Sequence, residues 1–173
     1  MAAAKPIKFK TKLVRTFPES GWIYLEVDRK IAEKFPTDGK TRRVVCSINS
    51  GEPFQCALMP WGGIFYIIVN KKRRDALGIE VGETVTVELT QDDSKYGMPM
   101  PEEFEEVLKQ DPDGDRLFHA LTPGKQRSLI YLISNVKDID KRIHQALIVV
   151  EHLKENGKII DKALVEELKR PLF

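Results

Sequence analysis

Two different periodicities divide the chain. In the first half apolar residues fall in short runs, among them Ile23 to Val27 and Phe65 to Val69, each bounded by Gly, Pro, Asn or Asp. That pattern predicts short β-strands. A turn-like segment, Asn49-Ser50-Gly51-Glu52-Pro53, predicts a hairpin centred near Gly51, with Val44, Cys46, Ile48, Phe54, Cys56 and Leu58 on one face and the two cysteines roughly opposite each other. Periodicity is lost over residues 91–100, which read as a linker. Beyond it the apolar spacing becomes helical. Pro101 opens a helix with Phe104, Val107 and Leu108 on one stripe, and its glutamates sit where the helix dipole favours negative charge. A short helix follows around Arg116 to Leu121, and a third, begun by Thr122 and Pro123, runs from Gly124 to about Val136. The longest is expected from about Asp138 to Asn156, where Ile139, Ile143, Ala146, Leu147, Val150 and Leu153 recur at helical spacing before Gly157. Asp161 is placed to cap a last helix carrying Leu164, Val165 and Leu168. The expected division is 1–92 and 93–173.

The strand-rich half contains an internal repeat. Trp22 to Val44 lies over Ile64 to Val87 with a single one-residue gap, matching Tyr24 with Tyr66, Val27 with Val69, Asp28 with Asn70, Gly39 with Gly82, Thr41 with Thr84 and Val44 with Val87. Each copy reads as strand, short basic helical turn, glycine turn and strand. Asp28 and Asn70 stand where a side-chain oxygen caps the first helical N–H groups. Gly39 and Gly82 stand at turns into the next strand. One copy is too small to bury its own apolar face, so the two are expected to pair about a pseudo-two-fold axis and close into a barrel without free edges. The predicted class is α+β: an N-terminal double-split closed β-barrel, then a small helical bundle.

Two segments carry family resemblances. The run Val69 to Val85, with its basic turn, Leu77-Gly78-Ile79 and Val81-Gly82-Glu83, resembles the signature of swapped-hairpin, AbrB-like barrels. In those proteins two chains each supply one unit; here one chain supplies both. The hairpin Ile48 to Phe54 and the turn Pro60 to Tyr66 are similar to a small barrel domain of unknown function that often precedes a YdeI-type segment. In the second half, Met98-Pro99-Met100-Pro101-Glu102-Glu103-Phe104, Phe118, Leu121 to Arg127, Lys137 and Arg142 resemble the bacterial YdeI/OmpD-associated family. The chain departs from that pattern at Val136, Lys141 and Gln145. The resemblance implies a link to tolerance of antimicrobial peptides or bacteriocins.

Composition narrows the classes. Hydrophobic residues at 42% and charged residues at 31% suit a chain of 173 residues that folds alone, and a monomer is expected. The net charge of +2 divides into +4 over residues 1–96 (16 basic, 12 acidic) and −2 over residues 97–173 (12 basic, 14 acidic). This is milder than the concentrated basic excess of a dedicated nucleic-acid binder. The longest apolar run, Ile64 to Val69, is far short of the roughly 20 residues that span a bilayer. Met1 to Lys12 lacks the apolar core and small-residue site of a secretory leader, so a cytoplasmic location is expected. Without a CxxC spacing or an adjacent histidine, Cys46 and Cys56 read as reduced, core-forming thiols.

Candidate chemistry is sparse. His144 and His152 lie about 12 Å apart along one helix, too far to share a metal. No HExxH, Cys-His cluster, GxSxG or phosphate-loop motif is present, and Gly62-Gly63 reads as a hairpin turn. No catalytic residue, metal site or cofactor is therefore expected. What stands out is basic: Lys71, Lys72, Arg73 and Arg74 in the second repeat, with Arg29-Lys30 and Arg42-Arg43 in the first. If the two helical turns share one side of a fused barrel, they form a patch for an anionic ligand or nucleic acid, with Trp61 as a stacking surface. Lys137 and Arg142 make a second basic candidate. Three functions follow: a non-enzymatic binding protein, a DNA- or RNA-binding regulator, and a small-molecule enzyme with a site between barrel and bundle.

Overall fold

The computed structural model describes residues 5–15, 22–37 and 42–171. The chain forms two compact units, Met1–Gly97 and Met98–Phe173. In the first, six strands, β1 (Ile7–Arg15), β2 (Ile23–Val27), β3 (Arg42–Ile48), β4 (Phe54–Trp61), β5 (Ile64–Ile68) and β6 (Thr84–Gln91), close into an antiparallel barrel in the order β1-β2-β5-β4-β3-β6. Strand β1 carries Ile7, Phe9, Thr11 and Leu13 on one face and exposed Lys8, Lys10 and Lys12 on the other. The barrel is filled by alternate residues of every strand, including Leu13, Leu25, Val44, Ile48, Leu58, Ile67, Val87 and Leu89, all fully buried.

The repeat is written into the strand pairing. Equivalent strands of the two copies pair with each other: Tyr24 faces Ile68 and Glu26 faces Tyr66 across β2 and β5, and Val44 faces Gln91 and Ile48 faces Val87 across β3 and β6. Exchanging each residue for its partner in the alignment returns the same pairs, which is what a two-fold axis through the barrel requires. Helical turns α1 (Arg29–Ala32) and α2 (Lys71–Leu77) connect the strands of each copy. Asp28 accepts a hydrogen bond from the Lys30 N–H and Asn70 from the Arg73 N–H, both at 2.8 Å, so both predicted caps form. Gly82 adopts φ +93°; Gly39 lies outside the described residues.

Two expectations about this unit are revised. The hairpin between β3 and β4 is centred one residue earlier, because Asn49 and Ser50 make the turn at φ +50° and +59°. Cys46 therefore faces Phe54 and Cys56 faces Val44, so the thiols are diagonal neighbours instead of direct opposites. Both are free, and a hydrogen bond with Cys56 together with burial pushes the Cys46 thiol pKa up. The presumed linker is also shorter than its composition suggests. Gln55 Nε2 donates to Asp92 Oδ2 (3.2 Å) and Ser94 Oγ (2.8 Å), and Arg43 Nη2 donates to the Gly97 carbonyl (2.7 Å), tying residues 92–97 to the barrel.

The second unit contains α3 (Glu102–Gln110), α4 (Pro112–Ala120), α5 (Pro123–Ser134), α6 (Ile139–Asn156) and α7 (Asp161–Leu168). Helix α4 begins four residues before its expected start. Asp111, Pro112, Asp113 and Gly114 resemble a breaker cluster, yet Asp111 caps the Gly114 N–H and Pro112 takes the first turn, where its missing N–H costs nothing. Asp161 is the first residue of α7 and not its cap. The core gathers Phe104, Phe118, Ile130, Ile133, Val149 and Leu153. The rings of Phe104 and Phe118 meet edge to face at 5.0 Å. Among the described residues no helix is long and apolar enough to cross a membrane.

Candidate functional site

The barrel's basic residues divide by what their side chains reach. Arg43 and Arg74 are half-buried, and each gives a guanidinium N–H to a backbone carbonyl, that of Gly97 and that of Val69. Arg73 stacks its guanidinium 3.6 Å from the ring centroid of Phe54. Lys71 pairs with Asp75 at 2.8 Å, and Lys72 is exposed. In the first copy Arg29 is bound to Glu33 at 2.6 Å, a one-turn helical pair. Arg43, Arg73 and Arg74 thus brace the fold, while Arg29 and Lys71 sit in exposed pairs that add little to stability.

One recess does bring sequence-selected residues together. Arg42, at the start of β3, and Trp61, at the end of β4, line a cavity of about 400 Å³ with Arg29, Glu33 and Phe65. Gly62 and Gly63, at φ +60° and +84°, turn the chain from β4 into β5 and leave Trp61 at the hairpin tip, 47% exposed. Lys71 to Arg74 are not among the residues lining this recess.

In the helical unit Arg142 donates to the Val136 carbonyl at 2.8 Å and to Glu103 at 2.9 Å, bracing the start of α6 against α3. Lys137 is exposed. The same two helices flank an open groove of about 540 Å³ lined by Glu102, Glu103, Glu106, Val107 and Gln110 of α3 and by Ile143 and Leu147 of α6. Buried contacts of α6 come from Ala146, Val149, Val150, His152 and Leu153, while Ile139, Ile143 and Leu147 stay exposed at 60%, 36% and 48%. These three lie at successive four-residue intervals and form one apolar strip. Its neighbours on α3 are carboxylates. In the sequence those glutamates are explained by the helix dipole, and the three apolar residues belong to the helical spacing that predicts α6. The spacing alone carries no signal that separates the buried positions of this stripe from the exposed ones.

Of the three histidines, His152 is built into the core of the helical unit. His152 is buried, and its Nε2 accepts the Ile160 N–H at 2.9 Å, which places the ring proton on Nδ1, facing Glu167 Oε2 at 2.6 Å. His119 bonds within its own helix to Asp115. His144 lies 3.3 Å from the Arg170 carbonyl. The Glu167 partner was invisible in the sequence, since the 15-residue separation depends on how α7 folds back on α6. Among the described residues no three His, Cys, Asp or Glu side chains converge as a metal site.

Comparison with known proteins agrees with this division. No curated protein matches the chain. Residues 9–89, covering the barrel, match a domain of unknown function (DUF1905), and residues 98–156, covering α3 to α6, match the family described as bacteriocin-protection, YdeI or OmpD-associated. The chain thus joins a barrel similar to the first of these domains to a helical unit similar to the second.

Proposed function

We propose that this is a bacterial, cytoplasmic, non-enzymatic binding protein that contributes to bacteriocin protection by capturing a cationic amphipathic peptide in the groove between α3 and α6. The observation carrying this reading is the groove's composition: exposed Ile143 and Leu147, one turn of α6 beyond exposed Ile139, beside Glu102, Glu103 and Glu106. An amphipathic helix of opposite charge satisfies both features at once. Its apolar side chains leave water against the strip, and its lysines or arginines meet the carboxylates. Glu103 is already held by Arg142, so Glu102 and Glu106 supply the charge that faces outward. The match of residues 98–156 to a bacteriocin-protection family supports the same assignment. A nucleic-acid role for an AbrB-like barrel ranks second, because Arg43, Arg73 and Arg74 are committed to carbonyl and ring contacts.

Calorimetric titration with a synthetic Lys/Leu amphipathic helix tests the proposal. Saturable binding that weakens as salt rises is the expected result. Leu147→Asp is expected to weaken it about tenfold or more, the consequence of losing one buried leucine contact. The double variant Glu102→Gln/Glu106→Gln is expected to weaken it about three- to tenfold and to flatten the salt dependence. Both changes are at exposed or groove-lining positions and are expected to leave folding stability within about 0.5 kcal/mol. Binding indifferent to both variants would remove the groove as the site.

A further inference from the structure

We infer that the groove between α3 and α6 seats its helix antiparallel to both walls and selects peptides whose lysines or arginines lie in the last turns. This rests on the peptide-capture reading and adds to it the direction and charge placement of the ligand. The walls themselves have a direction. Arg142, in the first turn of α6, meets Glu103 in the first turn of α3 at 2.9 Å. Lys154, in the last turn of α6, meets Asp111, which closes α3, at 3.0 Å. The two helices therefore run side by side in the same sense.

The groove's charge is graded along that direction. Glu102 and Glu106 line its beginning and make no ion pair among the described residues; Glu106 accepts only the Gln110 side-chain amide, at 2.9 Å. Gln110, at the other end, is neutral, and the carboxylates beyond it, Asp111 and Glu151, share the Lys154 ammonium at 3.0 and 3.1 Å. Lys137 and Lys141, around the start of α6, are matched in number by Asp138 and Asp140. Open carboxylate charge thus gathers where α3 and α6 begin. A bound helix responds through its own polarity. Its C-terminal turn carries partial negative charge, so lysines there are already stabilised within the ligand. Seated antiparallel, that turn lies at Glu102 and Glu106, and the lysines gain both interactions together. Seated parallel, they must either leave the carboxylates or crowd the ligand's positive end. Antiparallel seating also opposes the ligand's dipole to those of the two walls. Ile143 and Leu147, about 6 Å apart along α6, meet apolar residues at four-residue spacing in either sense, so they add affinity without direction.

Two synthetic Lys/Leu peptides of about four turns decide it, identical in composition, blocked at both termini, and stapled on the solvent side so that both are helical. One carries its lysines in the last turns and the other in the first. Calorimetric titration of the full chain is expected to give saturable binding, with the first peptide about three- to tenfold tighter. Glu102→Gln/Glu106→Gln is expected to bring the two affinities within about twofold. A nitroxide on the N-terminus of the first peptide is expected to broaden the amides of Gln110 and Leu147 more than those of Glu102 and Ile139. Equal affinities, a preference that survives the double variant, or broadening strongest at Glu102 and Ile139 would overturn the polarity while leaving capture in the groove intact. Saturable binding of neither peptide would overturn both.

Discussion

Gly114 sits where α4 passes close to α6: a Cβ added there would lie 2.3 Å from Val150 Cγ1. Valine is β-branched and cannot swing clear, so the helices must separate. Gly114→Ala is expected to destabilise the protein by about 1 to 3 kcal/mol despite alanine's better helix propensity, as measured by chemical denaturation. Beside it, Asp111 accepts the Gly114 N–H and pairs with Lys154 at 3.0 Å. The backbone bond first, and then the lysine, hold its carboxyl below the ordinary value of 3.8. A group depressed on folding stabilises the folded state above its unfolded value, and that contribution is lost as the pH falls through the folded value. The stability difference between the wild type and Asp111→Asn is therefore expected to be largest near neutrality and to shrink in acid below 3.8. A difference that grew on acidification would contradict the assignment.

Strands and caps follow from local chemistry, and so they were readable: the Asp28 and Asn70 caps and the Gly62-Gly63 turn each depend on neighbours within a few residues. The repeat added long-range information, because two copies of one pattern specify which strands must pair. The misplaced start of α4 has a local cause of the opposite kind, since Asp-Pro-Asp-Gly suits a turn and a capped helix equally well. What stayed hidden depends on tertiary packing. Nothing in Ile139, Ile143 or Leu147 distinguishes an apolar residue that meets a partner from one that meets water, and nothing near Arg43 announces the Gly97 carbonyl 54 residues away. That bond gives an element-scale test. Arg43→Ala is expected to speed amide exchange across residues 92–97, while the amides of β2 and β5 keep their protection. Equal acceleration throughout the barrel would mean that Arg43 supports the closed sheet and not the segment that follows it.

Each unit has its own core, one of alternating strand residues and one of helix stripes, and the two carry opposite charge balances, +4 before residue 97 and −2 after. The candidate surfaces follow that division: an arginine-tryptophan recess on the barrel and a carboxylate-apolar groove on the helices. The assignment of peptide capture to α3 and α6 is the claim on which the functional reading rests. Amide and methyl chemical-shift mapping of the full chain during titration with the Lys/Leu helix tests it most directly. The expected result is a set of saturable shifts centred on Val107, Ile143 and Leu147, with the barrel methyls of Leu25 and Val87 unmoved. Shifts confined to the barrel, or none at peptide concentrations that saturate an acidic surface, would contradict it.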